Sequence, residues 1–320
     1  MKRNLLIAIT VIISLSLFGI GSLAYFFIAN EAPMIKGDVI HHIHYKKGLS
    51  LDIYKPTQEI HKASPVVVFF HGGAWILGSK GTININRING AINQLREKGY
   101  SIISVNYTLA NKDHPPFPHC IVDAFDAIKW IEDHAEEFHF DINNVGLIGE
   151  SAGAHIALMT AYANAEDFHP AAKSIIKIQY VVDIYGPSHL HSLYLAKRPD
   201  SLQSIVEKMP KKLKNRLEHQ LFGFNPEEDS LQALRFSRKY SPITYVNTQV
   251  PPTLIIHGQL DKIVPLSQSQ MLHEKLMSLK IANEMHIINQ MHHAFNGATK
   301  EQKIEIQSWI VDFIEKHYHL

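Results

Sequence analysis

One strand–turn–helix segment constrains the fold of this chain more than any other feature. The apolar run Val145–Ile148 predicts a buried strand, Gly149-Glu150-Ser151-Ala152-Gly153 follows it, and a helical pattern continues to Met159. A serine on so sharp a turn needs small neighbours two positions away on either side, and glycine has no Cβ to clash. The N–H groups that begin the following helix would face a negative charge forming at Ser151. The segment therefore predicts a nucleophilic serine on a strand-to-helix turn.

Composition narrows the classes of protein to which the chain can belong. Its 320 residues are 46% hydrophobic and 19% charged, which is enough for one large α/β domain with an insertion. The net charge of +1 provides no field that would favour a nucleic acid as partner. The single cysteine, Cys120, excludes an internal disulfide, and we expect it to be packed rather than reactive.

The first thirty residues differ from the rest of the chain. Residues 5–29 contain no charged side chain, and this stretch exceeds the roughly 20 residues that cross a bilayer as a helix. We predict an uncleaved membrane anchor over residues 1–30, with a cleaved signal peptide as the alternative because Ser22-Leu23-Ala24 could serve as a cleavage site. Lys2 and Arg3 precede the span, so the domain that follows is expected outside the cytoplasm, at the cell membrane or secreted.

Residues 31–320 alternate between strand and helix signals. Val39–Tyr45 and Leu49–Tyr54 flank a glycine turn and predict a hairpin. The alternation that follows indicates an α/β fold with a mostly parallel, doubly wound sheet. The strand signals are Pro65–Phe70, Ser101–Val105, Val145–Ile148, Ile178–Ile184, Pro252–His257 and Glu284–Ile288, and the clearest helix signals are Ile83–Lys98, Phe125–Ala135, Ser267–Leu279 and Gln302–His317.

The alternation stops between Gly186 and Pro242. This stretch contains helical patches at Leu202–Lys208, Lys211–Leu221 and Asp229–Lys239 and no convincing strand. We predict a helical cap insertion at about residues 187–241, above the sheet. Its basic residues indicate a solvated helix face or, alternatively, contact with anionic lipid: Lys208, Lys211, Lys212, Lys214 and Arg216.

A serine hydroxyl needs a base to take its proton, and histidine has the most suitable pKa. A carboxylate should then orient the imidazole. The leading acid candidate is Asp261, in a loop directly after the strand Pro252–His257, where active-site groups of open α/β sheets collect. Asp183 is a competitor, although it lies within an apolar run. The base candidates are the adjacent His292 and His293 after the strand Glu284–Ile288, and the pattern leaves both open.

A glycine turn provides the fourth component of the predicted site. His71-Gly72-Gly73-Ala74-Trp75 follows the strand Pro65–Phe70. Two glycines allow the backbone to approach a ligand closely and to direct N–H groups at it. We predict that the N–H groups of Gly72, Gly73 and Ala152 form an oxyanion hole.

These motifs together resemble the α/β-hydrolase superfamily, and specifically the bacterial acetyl esterase/lipase and carboxylesterase group related to hormone-sensitive lipase. The resemblance covers roughly Val39 to Phe313. The motifs that carry it are Leu51-Asp52-Ile53-Tyr54-Lys55-Pro56, His71-Gly72-Gly73, Val105-Asn106-Tyr107-Thr108-Leu109-Ala110, Gly149-Glu150-Ser151-Ala152-Gly153, Ser241-Pro242-Ile243, His257-Gly258-Gln259-Leu260-Asp261 and His293-Ala294-Phe295.

The resemblance implies an α/β-hydrolase fold and a serine esterase with the chain order Ser151, Asp261, His293. The histidine of the last motif selects His293 over His292. The chain departs from the family pattern at Ala74, at Thr108 in place of arginine and at Asn111 in place of proline.

The implied partner is a small-molecule ester, with no metal or organic cofactor and no nucleic acid, while the N-terminal helix would contact the membrane. The oligomeric state stays open. A serine peptidase of the oligopeptidase type and a non-catalytic binding module on a hydrolase fold are the alternatives.

Overall fold

An eight-stranded sheet forms the centre of the molecule in the computed structural model, which describes residues 37–85, 87–111, 114–195, 206 and 208–319. The spatial order of the strands is β1-β2-β4-β3-β5-β6-β7-β8. In chain order they are β1 (Val39–Lys46), β2 (Leu49–Tyr54), β3 (Ser64–Phe70), β4 (Ser101–Val105), β5 (Phe140–Glu150), β6 (Ile178–Ile184), β7 (Thr253–Gly258) and β8 (Asn283–Ile288).

The sheet is mostly parallel, as the alternation of strand and helix signals predicts. The hairpin of β1 and β2 is antiparallel, and β2 also pairs antiparallel with β4. All remaining neighbours, from β4 through β3 to β8, are parallel. The carboxyl ends of six strands therefore meet at one edge of the sheet, where loops from distant parts of the sequence come together.

Helices cover both faces of the sheet. Side chains of β3 show this directly, because Val66 and Val68 belong to one hydrophobic core and Val67 and Phe69 to the other. Helices α1 and α8 contribute to the second core, and α2, α4 and α7 to the first. The helices are α1 (Asn89–Glu97), α2 (His119–Asp133), α3 (Ala135–Phe138), α4 (Ala152–Tyr162), α5 (Lys211–Phe222), α6 (Ser230–Lys239), α7 (Ser267–Ser278) and α8 (Lys300–Lys316).

The helix predicted over Ile83–Lys98 is shorter than expected. A 3₁₀ turn occupies Lys80–Ile85, and the α-helix begins only at Asn89. The segment before Asn89 contains Thr82, Ile83 and Ile85, whose β-branched side chains lose rotamer freedom in an α-helix. Cys120, in contrast, lies buried in α2 as expected.

The segment predicted as a cap contains helices α5 and α6 and a π-helical turn at His191–Leu195. The patch predicted at Leu202–Lys208 lies almost wholly outside the described residues. Phe222 of α5 and Phe236 of α6 pack together with ring centroids 5.3 Å apart. Phe236 also contacts Phe117 of the main domain at 5.3 Å, so aromatic packing attaches these helices to the loop before α2.

The basic residues of α5 do not share one environment. Lys211, Lys212 and Arg216 are exposed, whereas Lys214 pairs with Glu227. The predicted anchor at residues 1–30 lies outside the described part of the chain. Among the helices that are described, none is both long and apolar enough to cross a membrane.

Candidate active site

Ser151 occupies the sharp turn between β5 and α4. Its φ of +52° is unusual for a residue other than glycine. A Cβ on Gly149 would lie 2.3 Å from the Gly153 carbonyl oxygen, and one on Gly153 would lie 2.0 Å from that of Phe70. Neither distance is possible for real atoms, so both positions must be glycine. The turn is therefore packed tightly enough to hold Ser151 in its strained conformation.

His293 lies next to this serine. It follows β8 in a short 3₁₀ turn at His293–Phe295, and its Nε2 is 3.2 Å from Ser151 Oγ. His292 instead is exposed, and its Nδ1 lies 3.2 Å from the Leu260 carbonyl oxygen. Of the two histidines that the pattern left open, the structure brings His293 to the serine.

Asp261 is hydrogen-bonded to the other nitrogen of the same imidazole. Its Oδ2 lies 2.6 Å from His293 Nδ1, and its Oδ1 accepts the N–H groups of Ile263 at 2.8 Å and Val264 at 2.9 Å. Burial raises the pKa of Asp261, but hydrogen bonds from His257 and His293 outweigh it and lower the pKa to about 2. An ionised carboxylate can only accept, so the proton of His293 resides on Nδ1 and Nε2 is free to accept from Ser151.

His257 supports the same carboxylate from within the core. Its Nε2 lies 2.8 Å from the Val264 carbonyl oxygen and 3.3 Å from Asp261 Oδ2. Both partners are acceptors, so Nε2 carries the proton, and Nδ1 accepts from Ser269 Oγ at 2.7 Å. This contact at the start of the Asp261 motif was not expected from the sequence.

Asp183, the competing acid, occupies a different environment. It is fully buried in β6, where its Oδ1 accepts the Gly186 N–H at 2.7 Å. Its Oδ2 has no hydrogen-bond partner among the described residues. Burial raises its pKa to about 7, against the opposing effects of the Gly186 N–H and of His257. Asp261, and not this residue, makes the hydrogen bond to His293.

The glycine turn after β3 comes close to the serine. A Cβ on Gly72 would be 3.5 Å from Ser151 Cβ. Gly73 has a φ of +123°, and a Cβ there would lie 2.0 Å from the Leu77 carbonyl oxygen, so this position admits glycine alone. Ala152 is the first residue of α4. The three predicted oxyanion residues therefore lie on two backbone segments that border Ser151.

The rings of His71 and Tyr107 stack on each other where the glycine turn leaves β3. The His71 and Tyr107 rings are 4.3 Å apart and inclined by 15°, and the Tyr107 hydroxyl donates to the His71 carbonyl oxygen at 2.7 Å. Burial lowers the pKa of His71 to about 4, despite an opposing hydrogen bond between Nδ1 and the Gly72 carbonyl oxygen. His71 is therefore neutral at physiological pH.

Thr108, which stands in place of the arginine of the family pattern, shares the Asp123 carboxylate with a lysine from β1. The Thr108 N–H donates to Asp123 Oδ2 at 2.8 Å. Lys46, at the end of β1, places its Nζ 2.7 Å from Asp123 Oδ1 and 2.6 Å from Asp126 Oδ2. The two carboxylates of α2 are thus neutralised by a lysine from the hairpin.

Sequence reasoning missed a tyrosine that packs on the catalytic candidate. The Tyr185 ring lies 4.8 Å from that of His293, and its hydroxyl donates to Glu150 Oε1 at 2.8 Å. Tyr185 has a φ of +45° directly after β6. Its place at the carboxyl end of a buried strand was the available signal, since side chains there face the site.

The described ranges contain no group of three or more histidine, cysteine, aspartate or glutamate side chains that could hold an ion. At the site itself, a serine, a histidine and a carboxylate lie in hydrogen-bonded sequence.

A family model described as BD-FAE matches residues 51–276. The chain belongs to the BD-FAE family. The match includes Ser151, Asp261 and the glycine turn, and it ends before His293.

Curated relatives of this BD-FAE member are named as esterases. The chain is 26% identical over 229 residues to the "Probable carboxylic ester hydrolase LipM" of Mycobacterium tuberculosis, which covers 71% of this chain and 48% of the relative. It is 28% identical to "Esterase LipC" of the same organism, covering 72% of this chain and 52% of the relative. The chain thus spans about half the length of these relatives. The similarity to the carboxylesterase group that the motifs indicated is confirmed.

Solved structures share the fold of this BD-FAE member. A structure titled "Structure of arylesterase" aligns with a TM-score of 0.69 at 21% identity, covering 92% of this chain and 91% of that one. A "Truncated form of carbohydrate esterase from gut microbiota" aligns with a TM-score of 0.69 at 18% identity, covering 89% and 99%. At these identities the likeness concerns the fold, and it confirms the α/β-hydrolase architecture.

Proposed function

We propose that this chain is a serine carboxylic-ester hydrolase in which Ser151 is the nucleophile, His293 the general base and Asp261 the residue that orients the base. The observation that carries the proposal is the continuous hydrogen-bonded sequence from Ser151 Oγ through both nitrogens of His293 to Asp261 Oδ2, with distances of 3.2 Å and 2.6 Å. Family membership and the names of the relatives support ester hydrolysis as the reaction.

Acylation follows from this geometry. Ser151 Oγ forms a bond to the ester carbonyl carbon while its proton passes to His293 Nε2. Asp261 stabilises the imidazolium that results. The carbonyl oxygen becomes an oxyanion, to which the N–H groups of Gly72, Gly73 and Ala152 donate. When the carbon–oxygen bond to the alcohol breaks, His293 returns its proton to the leaving oxygen.

Deacylation repeats the sequence with water. The water oxygen attacks the acyl carbon while His293 Nε2 accepts one of its protons. The bond from the acyl carbon to Ser151 Oγ then breaks, and the proton of His293 returns to Oγ. The carboxylic acid leaves, and the starting state is restored without a cofactor.

Helices α5 and α6 form the cap that we propose shapes the substrate pocket. The support comes from Phe117, whose ring contacts those of Phe236 at 5.3 Å and Tyr240 at 5.1 Å. His155, one helical turn after Ser151, packs its ring against Phe117 at 5.6 Å. The Nε2 of His155 also lies 2.7 Å from the Tyr240 carbonyl oxygen at the end of the cap, so the cap contacts the helix that begins at the nucleophile.

We also propose that residues 1–30 anchor the protein in the cell membrane with the hydrolase domain outside the cytoplasm. The support is the uncharged stretch 5–29 preceded by Lys2 and Arg3. Expression of the full chain and of a chain beginning at residue 31, followed by an alkaline wash of the membranes, tests this. Release of the full chain into the supernatant would contradict an anchor.

The central experiment compares the full-length chain with Ser151→Ala on p-nitrophenyl esters of increasing acyl length. Ser278→Ala, at the exposed end of α7, is the matched control. We expect Ser151→Ala alone to lose hydrolysis by roughly 10⁴- to 10⁶-fold in kcat. Rates that fall with acyl length would indicate a small acyl pocket, and rates that persist would indicate a lipase. Equal activity in all three proteins would reject the esterase and leave a peptidase or a binding module.

A further inference from the structure

The loop that carries His293 is conformationally strained. We call residues 289–297 the histidine loop, since it connects β8 to α8 around His293. Three of its residues other than glycine have left-handed backbone, with φ of +57° at Gln290, +56° at Ala294 and +53° at Phe295. Such conformations persist only where the surroundings hold them in place. The contacts of this loop therefore decide whether the His293 imidazole stays within hydrogen-bonding distance of Ser151 Oγ.

Arg87 makes two of those contacts, with residues 207 and 209 positions further along the chain. It lies just before α1, and its guanidinium donates from Nη1 to the Ala294 carbonyl oxygen and from Nη2 to Asn296 Oδ1 at 2.8 Å. The Arg87 carbonyl oxygen in turn accepts from Gln307 Nε2 at 3.0 Å. The arginine is thus anchored to α8 through its backbone while its side chain holds the residues directly after His293.

The other side of the histidine is held by Tyr185. The Tyr185 ring contacts the rings of His293 and Phe295 at 4.8 Å and 4.9 Å, and its hydroxyl binds Glu150. Burial lowers the pKa of Arg87, and the nearby Tyr185 and Glu150 oppose this. The charge of Glu150, the residue before the nucleophile, therefore acts on the same guanidinium that holds the histidine loop.

We propose that Arg87 is a positioning residue for His293, acting as a two-point clamp that keeps the imidazole in register with Ser151. This inference rests on the proposed function, because the position of His293 matters for turnover only if it is the base. A guanidinium suits this task, since its planar fork offers two parallel donors in fixed geometry. A lysine ammonium in its place would be a point charge without that fixed orientation.

The clamp predicts a loss of turnover rather than of substrate binding. In Arg87→Gln the histidine loop loses the two-point contact, and His293 samples positions away from Ser151. A misplacement of about 1 Å lowers rates by up to about 100-fold, so we expect kcat to fall by as much as that while KM changes little. Arg87→Lys should recover only part of the lost kcat.

Arg96→Gln is the matched control. Arg96 is fully buried, whereas Arg87 is half-buried, but it too binds main-chain carbonyls, with Nε 2.7 Å from the Lys55 oxygen and Nη2 2.9 Å from the Asp38 oxygen. Its loss should lower stability and leave the kcat of the folded enzyme unchanged.

Millimolar guanidinium chloride should restore part of the activity of Arg87→Gln, whereas urea at the same concentration should not.

A readout that does not depend on turnover separates this inference from the proposed function. The Nδ1 proton shared between His293 and Asp261 should give a downfield proton resonance. We expect this resonance to broaden or shift in Arg87→Gln and to persist in Arg96→Gln. If it is unchanged in Arg87→Gln, or if both variants lose kcat equally, the clamp is wrong even where Ser151→Ala proves the esterase.

A second variant protects the test against misfolding of Arg87→Gln. Asn296 is exposed, so Asn296→Ala removes one acceptor of the clamp without disturbing the core. We expect it to lower kcat in the same direction but by less than Arg87→Gln, and the double variant to be no worse than Arg87→Gln alone. Additive losses in the double variant would contradict a shared clamp.

Discussion

His293 Nε2 lies 3.2 Å from Ser151 Oγ, although 142 positions separate the two residues in the chain. The serine leaves the carboxyl end of β5 and the histidine follows β8, three places further along the sheet. The parallel arrangement of the strands between them brings both loops to the same edge. The contact thus depends on the pairing of strands β5, β6, β7 and β8.

The pair His292 and His293 offers a test within two adjacent residues. Of these two histidines, His293 is the one that contacts Ser151 and Asp261. His293→Ala should therefore lower kcat on the order of 10⁶-fold. His292→Ala should retain activity close to that of the unmodified chain. Steady-state kinetics on one short-chain ester measures both, and a reversed order of the two effects would mean that the wrong histidine has been assigned.

The buried carboxylate of Asp261 predicts a loss of stability in acid. Its pKa is lowered from 3.8 to about 2, which corresponds to about 2 kcal/mol of stability at neutral pH. Because the folded-state pKa is the lower one, this stability is present above pH 3.8 and disappears as the pH falls through about 2. Urea unfolding of the unmodified chain and Asp261→Asn should therefore show a difference in free energy that shrinks by about 2 kcal/mol between pH 7 and pH 2. A constant difference would contradict the assignment.

Gly73 should be the least replaceable residue of the glycine turn. In Gly73→Ala the new Cβ would meet the Leu77 carbonyl oxygen at 2.0 Å with φ at +123°, so the turn must rearrange. Loss of an aligned oxyanion donor lowers kcat by roughly 100- to 1000-fold. Gly81→Ala is the control a few residues further on, where the nearest atom is Ser79 Oγ at 3.4 Å. Comparable kcat values for the two variants would indicate that Gly73 does not contribute to the oxyanion hole.

The loop after the glycine turn depends on a buried ion pair. Lys80 Nζ lies 2.6 Å from Asp52 Oδ1, and both side chains are almost fully buried. Lys80→Met removes the positive charge that pairs with the buried Asp52 carboxylate. We expect this change to lower the free energy of unfolding by about 3 kcal/mol. Lys98→Met removes a pair with Glu315 that is largely exposed and should cost less than about 1 kcal/mol. Denaturant titrations compare the two, and equal losses would show that burial does not strengthen the first pair.

Local features of the sequence predicted much of the fold. The alternation of apolar strands and amphipathic helices predicted the mostly parallel sheet, because periodicity reflects which faces are buried. The Gly149–Gly153 turn was readable for a similar reason, since the steric demand on each glycine arises within a few residues of Ser151. Asp261 was favoured by its position after a buried strand, where the site had to form.

Residues that contact one another across the sheet were not readable in this way. The sequence pattern could not choose between His292 and His293, because the choice depends on how the histidine loop is oriented toward a serine on another strand. Tyr185, Lys46 and Arg87 gave even weaker signals, since their partners lie in elements that the strand order alone brings together. By itself the sequence determined the elements, the nucleophile turn and the types of residue available for chemistry. The tertiary structure decided which side chains meet, because hydrogen bonds at such long separations follow from the packing of the entire sheet.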